Sequence, residues 1–85
     1  MSEPQPDYEK LAEQIAQLAV DDVLVGTAST LASIAYAKLG AGDREHARRA
    51  IDALATIVPL VEDEAVKRDL TAALANVQVA FASRV

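Results

Sequence analysis

Two apolar rows run along the first half of the chain, both with helical spacing but out of phase. Tyr8, Leu11, Ile15 and Leu18 recur at intervals of three and four. Val20, Leu24, Ala28, Leu31, Ala35 and Leu39 form a second series that steps sideways from the first. Each fits the 3.6-residue period of an α-helix. Beside the second lies another apolar-leaning row, Val23, Thr27, Thr30 and Ile34. The spacing predicts one long first helix over residues 7–39, one-sided at its start and apolar on several faces later. Gly26 lies within it and costs about 1 kcal/mol of helicity relative to Ala. The expected helix is continuous or mildly bent near Gly26; two helices meeting near Gly26 and Thr27 are the alternative.

Gly40-Ala41-Gly42 ends this pattern. Gly40 is expected to take the left-handed conformation after Leu39, and Asp43 to cap the next helix. Ala47, Ile51, Leu54 and Val58 then predict a second helix over 43–58, stopped by Pro59, which lacks an N–H. Val66, Leu70, Ala73, Leu74, Val77 and Phe81 predict a third over 62–83. Its acidic start, Glu62 to Glu64, and Arg84 near its end both suit the backbone dipoles. Pro4 and Pro6 make residues 1–6 an expected disordered tail, with Asp7 as a cap for the first helix. Ala-rich segments without a hairpin turn argue against strands. The fold class expected is all-α: a single three-helix domain over 7–85.

Composition changes the picture in one respect. Apolar residues make up 52% of the 85, but 18 of them are Ala, so the inventory is large in number and small in volume. The first helix, about 32 residues, would outrun its shorter neighbours at 1.5 Å per residue. Val20 to Leu39 is apolar on more sides than two short helices can cover. Monomers avoid bare patches of that size, and two-fold pairing is the commonest remedy. A homo-oligomeric bundle, a dimer by preference, is therefore expected. Gly26, Thr30, Ser33 and Ala37 are small and share one face, with Ala28, Leu31, Ala32 and Ala35 close by. These eight residues are the expected oligomer interface.

Candidate chemistry is sparse. The absence of Cys excludes disulfides, thiolate catalysis and cysteine-based zinc sites. His46, the one His, falls in a helix start with Asp43 and Glu45 but without a second His at metal-ligand spacing. Asp21 and Asp22 point about 100° apart on a helix, so they do not aim at one cleft. They are expected to cap a break, to meet an Arg from another helix, or to face solvent. Ser29, Thr30 and Ser33 have no base at a recognisable spacing; helical hydroxyls usually bond a carbonyl three or four residues back. No catalytic, metal or cofactor residues are assigned. The net charge of −5 disfavours nucleic acid. Arg44, Arg48 and Arg49, beside Lys38, form the candidate polar partner surface. The charge-free run Val23 to Ala37 is 15 residues, short of the roughly 20 a membrane span needs. It is therefore expected to be a buried helix and not a span. Met1-Ser2-Glu3-Pro4 lacks the basic-then-apolar pattern of a leader, so a cytoplasmic location is expected.

The segments VGTASTLASIAYAKLG, DREHARRAIDALATI and VQVAFASR, in that order, resemble a family of small bacterial proteins, the domain of unknown function numbered 1844. The resemblance covers residues 20–84 and rests on Ser29 to Gly40, Ala47 to Leu54, and Phe81 with Arg84. Pro59 and the very short loop after Gly40 depart from the family layout. The family implies helices in this order and no activity. The function expected from the residues is that of a non-enzymatic helical protein that self-associates and acts through protein–protein contact. Alternatives are a bundle binding an apolar small molecule or lipid, and a nucleic-acid accessory protein.

Overall fold

The structure is a computed structural model that describes residues 8–84. The expected tail and the Asp7 cap lie outside the described residues. Among the described residues there are four α-helices: α1 (Tyr8–Ala16), α2 (Val20–Gly40), α3 (Arg44–Ile57) and α4 (Glu64–Ser83), with a 3-10 turn at Val58–Leu60 between the last two. No strand occurs among the described residues, so the fold is all-α.

The long first helix is divided, and not at Gly26. Helix α1 ends with Leu18 N–H bonding Ile15 C=O in a tight turn, and Ala19 is extended at φ −71°, ψ 130°. Neither Gly nor Pro stands at this joint. Two other causes coincide there. On one continuous helix the Tyr8–Leu18 stripe and the Leu24–Leu39 stripe would lie about 140° apart, on nearly opposite sides. The Asp21 carboxylate also reaches across the fold, accepting Glu62 N–H at 3.0 Å and Asp63 N–H at 2.9 Å. That clamp fixes the first turn of α2 against the segment leading into α4. Gly26 continues α2 without interruption.

Helix α2 ends in a Schellman motif, with Asp43 N–H bonding Lys38 C=O at 2.8 Å and Gly42 N–H bonding Leu39 C=O at 3.1 Å. The left-handed residue is Gly42, at φ 78°, and not Gly40, which is still helical. The turn needs positive φ one residue past the cap, Ala41, and Gly42 meets that need. Asp43 then caps α3 by accepting His46 N–H, and Asp63 caps α4 by accepting Val66 N–H. Pro59 ends α3 and turns the chain through the 3-10 segment.

The core is formed by α2, α3, α4 and the 3-10 turn. Its tightest pairing is α2 against α3, joined by the short Gly42 turn. Ala28 and Ala35 of α2 meet Ala50, Ile51 and Leu54 of α3, with Val58 and Val77 closing the cluster. Small residues on both helices let their backbones approach. Leu31, Ala32, Leu70, Leu74 and Phe81 pack around the edge.

Candidate functional site

Helix α1 packs on no other element. It nonetheless carries a clear apolar stripe. Tyr8, Leu11, Ile15 and Leu18 are 67%, 48%, 58% and 57% exposed. The polar side holds Glu9, Lys10, Glu13 and Gln14. An amphipathic helix normally turns its stripe to a core; among the described residues, this one packs against no other element.

The second bare surface is the outer face of α2. The eight residues expected at an oligomer interface divide between the two sides of this helix. Ala28 and Ala35 are buried in the chain's own core, and Leu31 and Ala32 pack against it. Gly26, Thr30, Ser33 and Ala37 are exposed. Ser29, Thr30, Ser33, Ile34 and Ala37 line a shallow open groove there, with Val23 and Ile34 exposed along the same face. A Cβ built on Gly26 would meet nothing within 4 Å, so its small size serves no contact inside the chain. The hydroxyls of Thr27 and Thr30 donate to Val23 C=O and Gly26 C=O, four residues back, at 2.9 and 3.0 Å. Thr30 thus turns its hydroxyl to its own backbone within the groove, which also presents the hydroxyls of Ser29 and Ser33.

The basic cluster also divides. Arg44 Nη1 donates to Phe81 C=O at 2.8 Å and to Arg84 C=O, and its guanidinium carbon is 4.0 Å from the Phe81 ring centroid. It thus satisfies free carbonyls at the end of α4 while stacking on an aromatic face. Arg48 and Arg49 are exposed beside it, in a groove with Glu45 and Asp52. This use of Arg44 was hidden from the sequence, because it joins residues about 40 apart.

His46 with Asp43, and Asp21, all weighed for chemistry, take part in structural hydrogen bonds. His46 Nδ1 lies 2.8 Å from an Asp43 carboxylate oxygen, both at the start of α3. The His46 backbone N–H, with the imidazole beside it, holds the Asp43 carboxyl below its ordinary pKa. The Glu62 and Asp63 N–H groups do the same for Asp21, aided by the Lys67 charge. Asp22 is exposed. Among the described residues, no three His, Asp or Glu side chains converge as a metal site would require.

No protein-family model, curated protein or solved structure shows a significant match to the chain. The candidate site is therefore the pair of bare faces, on α1 and on outer α2.

Proposed function

We propose that this chain is a non-enzymatic helical protein that self-associates, as a dimer, and acts through protein–protein contact. The observation that carries this reading is the state of α1. A helix of nine residues falls below the roughly 12–15 at which isolated helices become even marginally stable in water. Most helical stability in proteins comes from packing an apolar face. Helix α1 has the face but packs on none of the other described elements, so its stable form calls for a cover beyond them.

The same logic applies to α2. By length and composition it is apolar enough to cross a membrane. One side, however, is packed along α3, whose outward residues include Arg44, Glu45, Arg48, Arg49 and Asp52. A helix so charged is costly to carry into hydrocarbon. A water-soluble assembly burying the other side of α2 fits both facts.

Amide hydrogen exchange tests the reading. Exchange in α1 is expected to slow as protein concentration rises, because a second chain then covers the helix. Equally fast exchange in α1 at low and high concentration would overturn the proposal.

A further inference from the structure

We infer that the apolar stripe of α1 seats in the groove along outer α2 of a second copy of this chain, each copy receiving the other's α1. This rests on the self-association proposed above and specifies its contact.

Shape is the first argument. Helix α1 offers bulky knobs at Tyr8, Leu11 and Ile15, continued by Leu18 in the turn after it, and outer α2 offers a depression floored mostly by small side chains. Within α1 the stripe from Tyr8 to Ile15 rises about 11 Å, with Leu18 following in the turn, and the α2 face from Gly26 to Ala37 about 17 Å, long enough to seat it. The open space over Gly26 is room that the chain itself does not use.

Charge is the second argument, and it favours protein over lipid as the occupant. Val23 to Ala37 contains no charged residue, so its outer face suits an apolar stripe. The polar side of α1 sets Glu9 and Glu13 against the one cation Lys10. Helices that lie on membranes carry Lys- and Arg-rich polar faces. A net-negative face points away from lipid and toward protein.

Area is the third. Tyr8, Leu11 and Ile15 on α1 and Val23 and Ile34 on outer α2 are each 41–67% exposed, and a standard interface takes about 800 Å² from each partner. Neither face alone reaches that size. Reciprocal exchange uses both on each chain and closes with two-fold symmetry, leaving no unfilled copy of either.

The chain has no Cys, which permits a clean cross-linking test. Ile15→Cys and Ser33→Cys are made as two separate proteins, mixed and mildly oxidised; both changes are also placed on one chain. The expected main product of the mixture is a disulfide between the two different variants, in excess of either variant joined to itself. In parallel, Ile15→Glu is expected to weaken association at least about 100-fold, with the melting of the α2–α4 core unchanged. If wild type self-associates but Ile15→Glu leaves association intact, or no mixed disulfide forms, the inference fails and self-association stands. A one-chain disulfide in the doubly substituted protein, meaning α1 folds back on its own α2, overturns the inference. So does wild-type binding to neutral or anionic phospholipid vesicles that Ile15→Glu abolishes without changing oligomeric mass. A wild type that stays monomeric overturns both readings.

Discussion

Asp21 shows how much one half-buried carboxylate can organise. Its two oxygens take the N–H groups of Glu62 and Asp63, 41 and 42 residues away. The bonds favour the ionised form, so its folded pKa lies below the ordinary 3.8. A lowered carboxyl contributes stability that is full above the ordinary value and fades as pH falls through the folded one. The wild-type melting temperature is thus expected to drop on acidification below about pH 4. Asp21→Asn should melt lower at neutral pH and show a flatter acid limb, because the carboxamide cannot ionise. Identical acid limbs in thermal melts of the two proteins would contradict the clamp. Arg44 makes the second long-range polar link. Arg44→Ala is expected to cost about 1 kcal/mol in denaturant unfolding. Arg44→Lys should recover only part of that, since an ammonium lacks the planar group that stacks on Phe81. The helix caps at Asp43 and the stop at Pro59 were legible because their causes are local. The partners of Asp21 and Arg44 were not, because tertiary folding supplies them.

At the scale of elements, the chain divides into a packed set, α2 to α4, and a helix that packs on none of them. The two should respond oppositely to apolar truncation. Leu54 is 1% exposed at the centre of the cluster. Leu54→Ala is expected to cost about 3 kcal/mol of unfolding free energy. Leu11→Ala, measured at high dilution, should change it by less than about 0.5 kcal/mol. Equal losses in chemical denaturation would mean that α1 belongs to the monomer core. The sequence showed the helices and the phase step between the two stripes. It did not show the joint at residues 17–19, because helical spacing runs up to it on both sides and neither Gly nor Pro marks it. Phase and a distant clamp set that joint instead. The eight expected interface residues divided for a related reason. In a chain with 18 Ala, small residues line both the core side and the outer side of α2, and size alone does not tell them apart.

The whole molecule is long for its mass. It extends 62 × 32 × 14 Å with a radius of gyration of 17.3 Å, against about 12 Å for a compact domain of this length. The difference is in keeping with an α1 that adds length without adding to the core. A small domain already buries a modest share of its surface, and one whose amphipathic α1 packs on none of its other described helices is expected to gain from the second copy proposed above. Sedimentation equilibrium of the wild-type chain, from low to high micromolar concentration, tests that claim most directly. The expected result is a molar mass rising toward twice the 9.0 kDa of the chain. A mass that stays at 9.0 kDa across the whole range would contradict it.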